Sequence, residues 1–457
     1  MSENITAKSP LRIELSDKLR STLAGVLNRL HGCRLSDRFW GLILESYVKT
    51  AITRKQLLAE KNIQFNIPVL PMSSHHFPRK KEIFREQLKG MVRHWQTRGA
   101  AKEIFRMVQT QDRFRIGFHE FPGIEDFKDE LGLSLPLHHP FLIGKINRRL
   151  RKKLAVIAET EQDRYIRNAI LNLPQVYIEY FKQLHSSIPL YKPESKEFHV
   201  HNMRTCFDEM LVAKYAEYGA KVVWYQHGSH YGEYKWEYYH HYEHLMADEF
   251  RTWGWQIAEK DTPWKAYRLE AFKRTYREFD NSGEYSLMLC YPKMYSTYRK
   301  SCVEATNHLE QNLDTQKFPL ILARPRPLHK KHGHEDELSF ISGGAITIGN
   351  GLEPMAKQVS RCRLVVQINV PSTNFLECIY VDHPVTGILK NTDPTEVITP
   401  FYSFFLENGV LHQDVQSLVQ FLNTTNLEPW WSEVTESDMY SQFKEKFTAN
   451  AAPGKKG

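Results

Sequence analysis

The first third of the chain repeats apolar side chains at the spacing of an amphipathic helix. One predicted helical face carries Leu19, Leu23, Val26, Leu27 and Leu30, and Gly32 follows as a stop signal. A second apolar helix is predicted from Arg38 onward, and short extended segments are predicted at 63–69 and 196–200. Helices that alternate with buried strands indicate an α/β fold.

The middle and the end of the chain predict two Rossmann-like domains. A helix is predicted over 207–218 and a buried strand over 220–225, before a polar loop. From Glu284 onward the pattern predicts strands at 285–290, 319–323, 345–348 and 364–369, which favours a second parallel sheet. We predict an N-terminal helical and Rossmann-like acceptor-side domain over 1–255, a linker helix over 256–283, a C-terminal Rossmann-like nucleotide-sugar domain over 284–427, and a C-terminal helix and tail over 428–457.

Composition places the chain among ordinary soluble globular proteins. Of its 457 residues, 41% are hydrophobic and 25% charged, which disfavours disordered and collagen-like classes. The N-terminus lacks an apolar signal core and no run reaches the roughly 18 apolar residues of a membrane helix, so a cytoplasmic location is expected. Six cysteines without a C-x-x-C pair predict reduced thiols rather than a zinc site or disulfide framework.

One segment concentrates the positive charge of the chain. Six of the nine residues from Lys145 to Lys153 are basic, against a net charge of only +8 for the whole sequence. This segment is typical of a solvated helix face, and it also suits peripheral contact with an anionic inner-membrane surface. Nucleic acid is disfavoured as a partner because no reading module accompanies the basic run.

The loop after the predicted strand at 220–225 carries a candidate catalytic group. It reads Gln226-His227-Gly228-Ser229-His230-Tyr231-Gly232, and an imidazole can take a proton from an attacking hydroxyl near neutral pH. We predict His227 as a general base, because ligands gather at strand ends in doubly wound sheets. The alternative is a tight turn in which His227 only makes an internal hydrogen bond.

A second candidate site follows the strand at 364–369. There, Ser372-Thr373 can begin a helix whose free amides bind phosphate, with Glu377 four residues later on the same side. We predict Ser372 and Thr373 as phosphate ligands and Glu377 as a ribose ligand. A plain helix cap with a solvated acid is the alternative.

Further polar residues are assigned around these two motifs. Arg324 and Arg326 follow the predicted strand at 319–323, and guanidinium groups suit donor anions. His329, His332 and His334 lie nearby, but Lys330 and Lys331 oppose a cation, so no metal is expected. The acidic and aromatic stretch after His227 predicts sugar contacts. We assign positioning of the sugar or the base to His230 and Glu243, and substrate contact to Gln226, Gly228, Tyr231, Glu233 and Asn369.

Several enzyme classes lack their signatures here. The sequence contains no G-x-x-x-x-G-K-[ST] phosphate loop, no G-x-G-x-x-G fingerprint and no G-x-S-x-G elbow. P-loop kinases, ordinary dehydrogenases and α/β-hydrolases are therefore disfavoured.

Segments 27–31 with 36–40, 225–232 and 247–255 together resemble a family of bacterial surface-polysaccharide transferases. That family is similar to the capsule-type Kdo transferases and the CMP-sialic-acid transferases, which use two Rossmann-like domains facing a cleft, the GT-B arrangement. The resemblance implies a nucleotide-sugar donor, CMP-linked, on the C-terminal domain and an acceptor on the N-terminal one. His227 falls where those relatives place a catalytic carboxylate. Arg324 and Arg326 fall near their nucleotide-phosphate motif, and Ser372-Thr373 near their hydroxyl-rich one.

The sequence thus predicts a metal-independent GT-B glycosyltransferase without a cofactor. Its expected donor is an ulosonic acid such as Kdo or a sialic-acid-like sugar, and its expected acceptor is a bacterial surface glycan or a lipid-linked glycan. One alternative is a CDP-glycerol or ribitol-phosphate polymer transferase. Another is a non-catalytic glycan-binding or assembly protein.

Overall fold

The computed structural model describes residues 10–60, 109–116, 133–134, 146–203, 205–235, 238–279, 282–291, 296–324, 346–349, 353–390 and 393–448. Its first region is helical, with α1 at Pro10–His31 packed against α2 at Asp37–Glu60. The predicted apolar face of α1 is buried, and Gly32 ends the helix at a φ of +66°, which glycine adopts without steric cost. The helical prediction for this region is confirmed, whereas the strand predicted at 63–69 lies outside the described residues.

A six-stranded sheet follows, with strand order β2-β1-β3-β4-β5-β6. Its strands are β1 at Arg113–Ile116, β2 at Leu133–Ser134, β3 at Glu197–Val200, β4 at Lys221–Tyr225, β5 at Glu249–Thr252 and β6 at Asp261–Pro263. The pairs β1/β2, β1/β3 and β3/β4 are parallel. This order resembles the 2-1-3-4-5 order of doubly wound sheets. The predicted strands at 196–200 and 220–225 are confirmed.

Along the chain, helices lie between the strands of this sheet. They are α3 at Arg148–Glu159, α4 at Arg164–Leu171, α5 at Gln175–Ile178, α6 at Phe181–Ser187, α7 at Cys206–Glu217 and α8 at Tyr238–Met246. The crossover helix α7 begins at a capping box, in which the Thr205 side chain accepts from the Asp208 amide and the Asp208 carboxylate accepts from the Thr205 amide. The helix predicted over 207–218 is confirmed.

A second six-stranded sheet has the order β12-β11-β10-β7-β8-β9, and all of its neighbouring pairs are parallel. Its strands are β7 at Leu287–Cys290, β8 at Ile321–Arg324, β9 at Ile346–Ile348, β10 at Val365–Val370, β11 at Val385–Leu389 and β12 at Leu411–His412. This is the 3-2-1-4-5-6 order of a Rossmann fold, so the strand order reverses between β7 and β10. The four predicted strands and the second parallel sheet are confirmed.

The helices of the second half are α9 at Tyr267–Arg277, α10 at Ser296–Asn312, α11 at Met355–Ser360, α12 at Thr373–Tyr380, α13 at Thr399–Glu407, α14 at Val415–Thr424, α15 at Leu427–Glu436 and α16 at Asp438–Thr448. The segment 256–283 differs from the single linker helix that we predicted. The Asp261 carboxylate accepts from the amides of Ile257 and Ala258, which forms a turn before β6. Helix α9 then packs against α11 and α12.

Contacts divide the chain into two compact units. Unit 1 comprises residues 1–225 and 238–250, and unit 2 comprises residues 226–237 and 251–457. The loop after β4 thus groups with the C-terminal unit, although we expected it in an acceptor-side domain over 1–255. The reason is a set of backbone hydrogen bonds within unit 2, from the Lys235 amide to the Asp393 carbonyl oxygen (3.1 Å) and from the Thr395 amide to the Glu233 carbonyl oxygen (3.0 Å).

Candidate active site

The loop that follows β4 is held by the side chain of its first residue, Gln226. Its Nε2 donates to the Gly228 carbonyl oxygen (2.9 Å), and its Oε1 accepts from the Trp253 amide (2.8 Å) and from Trp255 Nε1 (2.9 Å). The residue is 3% exposed. We therefore correct its assignment: Gln226 shapes the loop and does not present its amide to a substrate.

The His227 imidazole is half-buried and lies beside Tyr231. The Tyr231 hydroxyl oxygen is 2.8 Å from His227 Nδ1 and 3.2 Å from Nε2, and the two rings meet edge to face. Tyr231 is only 3% exposed, so its ring is not a platform for a sugar. The geometry instead makes Tyr231 the group that orients the imidazole, which corrects its predicted role as a substrate contact.

Glu233 anchors the far side of the same loop. One carboxylate oxygen accepts from the His230 amide (3.1 Å), and the other accepts from the Tyr402 hydroxyl (2.5 Å). Burial and the neighbouring Glu233 charge raise the pKa of Tyr402 well above its usual value, so its hydroxyl keeps its proton and donates. Because Glu233 is itself buried, its predicted substrate contact is replaced by this anchoring role. His230 has a φ of +85° and stacks on Tyr234.

Two positions in this loop require glycine. A Cβ atom at Gly228 would lie 3.0 Å from Thr373 Oγ1, and one at Gly232 would lie 2.6 Å from the Trp255 ring. Gly232 also has a φ of +72°, which side chains disfavour. Gly228 therefore allows the loop to approach the start of α12.

The predicted phosphate motif begins α12, as expected. The Ser372 hydroxyl accepts from the Phe375 amide (3.1 Å) and donates to Gln367 Oε1 (3.1 Å), so it caps the helix. Thr373 Oγ1 accepts from the Ser229 amide (3.1 Å), which joins the motif to the His227 loop. The amides of Thr373 and Asn374 precede the first helical hydrogen bond, and such amides are the groups through which a helix tip can bind an anion.

Glu377 lies one turn into α12 and is 4% exposed. Its Oε1 accepts from Arg268 Nε on α9 at 3.0 Å, while its Oε2 is buried and has no hydrogen-bond partner among the described residues. The predicted ribose ligand is thus half engaged by a fold contact. Arg268 was not foreseen, because nothing in the local pattern of α9 distinguishes it from the other basic residues of that helix.

Arg324 lies at the end of β8 and is largely committed to the fold. Its guanidinium donates to the side-chain oxygen of Gln358 and to the Glu353 carbonyl oxygen (3.0 Å). Burial lowers the pKa of Arg324, and the thiol of Cys290 lies beside it, with its own pKa raised by burial to about 12. Arg324 therefore supports this end of the sheet. For its predicted role in binding donor anions, it can offer only the guanidinium N–H groups that do not make these two hydrogen bonds.

The remaining predicted site residues lie on other elements or outside the described residues. Glu243 is buried on α8, which groups with unit 1. Asn369 is half-buried near the carboxyl end of β10. Arg326 and the histidines at 329, 332 and 334 lie outside the described residues.

Two residues that the sequence analysis did not single out complete the arrangement. Ser229 reaches Thr373 through its amide, and Gln367 reaches Ser372 through its carboxamide. A signal for Gln367 was present, because a polar residue interrupts the apolar run of a buried strand there.

The described residues contain neither a group of potential metal ligands nor a membrane-spanning helix. Within the described ranges, no three or more His, Cys, Asp or Glu side chains form a group that could hold a metal ion. Over the same ranges, no helix is long and apolar enough to cross a membrane.

Several solved structures resemble the fold. A UDP complex of S. aureus MnaA matches at 12% identity and a TM-score of 0.37, covering 59% of this chain and 75% of that one. A putative UDP-N-acetylglucosamine 2-epimerase from Listeria monocytogenes matches at 12% identity and 0.39, covering 71% and 81%. An α,α-trehalose-phosphate synthase (UDP-forming) from Burkholderia vietnamiensis matches at 11% identity and 0.39, covering 74% and 96%. Because these TM-scores are below 0.5, they assign no activity to this chain.

None of the curated proteins matches the sequence. A protein-family model described as LIC12162 family transferase, in contrast, matches residues 56–453, which is most of the chain and includes the loop after β4, β10 and α12. The chain therefore belongs to the LIC12162 family of transferases.

Proposed function

We propose that this transferase is a glycosyltransferase that moves a sugar from a nucleotide-activated donor to a bacterial surface-glycan acceptor. The observation that carries the proposal is the 3.1 Å hydrogen bond from the Ser229 amide to Thr373 Oγ1. It places a loop bearing an oriented imidazole directly against a helix tip with free amides. A general base and an anion site are the two groups that transfer from a sugar phosphate requires.

In this mechanism His227 takes the proton of the acceptor hydroxyl. The acceptor oxygen then forms a bond to the anomeric carbon, and the bond from that carbon to the phosphate oxygen breaks, leaving its electron pair on the phosphate. The amides at the tip of α12 stabilise that charge through hydrogen bonds and the helix dipole. Because these groups supply the stabilisation, we propose that neither a metal nor a cofactor is needed.

We propose a CMP-linked ulosonic acid such as Kdo, or a sialic-acid-like sugar, as the donor. This choice rests on the resemblance of the 225–232 and 247–255 segments to polysaccharide transferases. A helix tip that binds phosphate also suits a CDP-glycerol or ribitol-phosphate transferase, in which the attacked atom is phosphorus. The donor panel below separates these reactions.

Nucleotide binding is tested by thermal unfolding and calorimetry with CMP, CDP, UDP and GDP. We expect CMP to raise the Tm most, because a ligand that binds only the folded state stabilises it by mass action. Turnover is then measured with CMP-Kdo, CMP-sialic acid and CDP-glycerol on glycan acceptors. Transfer from CDP-glycerol alone would select the polymer transferase, and binding without turnover of any donor would select a non-catalytic protein.

The role of His227 is tested by His227→Ala. Loss of a general base is expected to lower kcat by about 10²- to 10⁴-fold, while the Kd for the nucleotide stays unchanged. His308→Ala, on α10 of the same unit, is the matched control and should retain full activity. Full transfer by a folded His227→Ala variant would contradict the assignment.

The positioning role of Tyr231 is tested by Tyr231→Phe, which removes only the hydroxyl. If Nε2 of His227 accepts the proton, Nδ1–H donates to Tyr231, and this bond favours the protonated ring. We expect kcat to fall about 5- to 10-fold and the acidic limb of its pH profile to move to lower pH. A uniform loss at every pH, with no shift of the limb, would indicate a merely structural contact.

We further propose peripheral contact with an anionic membrane through the basic segment. In the structure, fewer of its basic residues are available for this contact than the sequence alone indicates. Arg151 pairs with Glu179 (2.7 Å) and Lys153 donates to the Leu30 carbonyl oxygen (2.9 Å), so both serve the fold. Arg148, Arg149 and Lys152 are exposed, and the apolar side chains of Ile146 and Val156 are 60% and 64% exposed. Basic groups flanked by exposed apolar groups suit an anionic lipid surface.

Sedimentation with vesicles of phosphatidylglycerol and phosphatidylcholine tests this contact. The triple variant Arg148→Glu, Arg149→Glu, Lys152→Glu should lose about 100-fold or more in vesicle affinity, since each basic residue contributes about 1 kcal/mol near such a surface. A charge-matched control changes three exposed residues of unit 2: Arg277→Glu, Arg363→Glu and Lys446→Glu. Equal binding by both variants, or indifference to anionic lipid, would refute the contact.

A further inference from the structure

We propose that Ser229 and Gln367 are phosphate ligands, and that the loop carrying His227 thereby forms one wall of the donor phosphate site. This inference rests on the proposed function and deepens it. It assigns two residues to the site and makes the position of the base depend on the bound phosphate.

Gln367 presents an unused donor beside the helix tip. Its side chain lies on β10 and is 2% exposed. The Ser372 hydroxyl already accepts from the Phe375 amide, so its proton goes to Gln367 Oε1, which fixes the orientation of the carboxamide. Within the described residues its Nε2 has no oxygen or nitrogen partner, and the carboxamide lies against the thiol of Cys290, a weak hydrogen-bonding group. A buried donor without a partner is costly, and such groups are rare in native proteins unless water or a ligand satisfies them.

Ser229 presents a second unused group on the loop side. It is 2% exposed, and its amide donates to Thr373 Oγ1. Its own hydroxyl has no hydrogen-bond partner in the part of the chain that the structure describes. The Gly228 backbone lies close to the same threonine, because a Cβ at that position would be 3.0 Å from Thr373 Oγ1.

The two unused groups flank the first two positions of α12. Gln367 is bonded to Ser372 from within the sheet, and Ser229 is bonded to Thr373 from the loop. The amides of Thr373 and Asn374 supply further donors at the same tip. A hydroxyl, a carboxamide and two helix-tip amides offer hydrogens to a ligand that accepts with several oxygens, which is the chemistry of a phosphate.

The strand order supports this location. The tip of α12 follows β10, which neighbours β7 where the order of the second sheet reverses. Ligands of doubly wound sheets bind at the carboxyl ends of strands at this reversal. The phosphate site and the predicted base are therefore linked within one unit, since Ser229 lies two residues after His227.

The test is titration calorimetry on the full chain with inorganic pyrophosphate, CMP and UDP as probes. Ser229→Ala removes one donor, whereas Gln367→Met removes the Nε2 donor together with the Oε1 that accepts from the Ser372 hydroxyl, both with little change in volume. We expect each to weaken the tightest-binding probe about 5- to 30-fold, because hydrogen bonds to a charged phosphate are stronger than neutral ones. Ser360→Ala is the matched control, because Ser360 is a fully buried serine of the same unit that bonds the Lys357 carbonyl oxygen.

A second variant keeps the inference falsifiable if Gln367→Met destabilises the fold. Gln367→Glu keeps the shape but brings a negative charge to the site, and should weaken the probe more than Gln367→Met does. Unchanged affinity in folded Ser229→Ala and Gln367→Glu would overturn the inference, even if transfer activity is present. It would indicate that buried water, and not phosphate, makes the hydrogen bonds to both side chains. Weakened binding without turnover of any sugar donor would uphold the site and overturn the proposed function instead.

Discussion

The hydrogen bond from the Ser229 amide to Thr373 Oγ1 joins two segments that lie 144 residues apart in the sequence. Without it, the loop after β4 and the tip of α12 would be separate features of two strand ends. Gly228 favours this bond, because a Cβ there would lie 3.0 Å from Thr373 Oγ1 and the threonine side chain would have to shift by a few tenths of an ångström. The candidate site therefore depends on a close approach of the backbone as well as on the predicted base, His227.

Internal hydrogen bonds of the loop keep that approach in place. The Gln226 carboxamide forms hydrogen bonds with the loop backbone and with Trp253 and Trp255. The Glu233 carboxylate accepts hydrogen bonds from the His230 amide and the Tyr402 hydroxyl. Burying such groups is tolerated only when their hydrogen bonds are made. Several polar residues of this loop thus hold the backbone, while the imidazoles of His227 and His230 are both half-buried.

Much of the fold followed from the sequence, whereas the partners of the polar residues did not. The strands β7 to β10 of the second sheet are mostly apolar, and Ser372 is an N-cap that local rules predict. Strand β11 was not predicted because Thr386 and Gly387 interrupt its apolar run. Glycine is nevertheless required at position 387, because a Cβ atom there would lie 2.7 Å from the Gln367 carbonyl oxygen. The partner of Glu233 lies 169 residues away, and no local pattern encodes such a pairing. Residue types therefore located the site, but long-range contacts decided which residues support it.

The division of the chain has a consequence for how this protein can vary. The backbone passes from one unit to the other after residues 225, 237 and 250, so each unit is built from two separate stretches of the chain. A single recombination point therefore cannot exchange one whole unit for a homologous one. Exchange of a whole unit would need crossovers at all three of these positions.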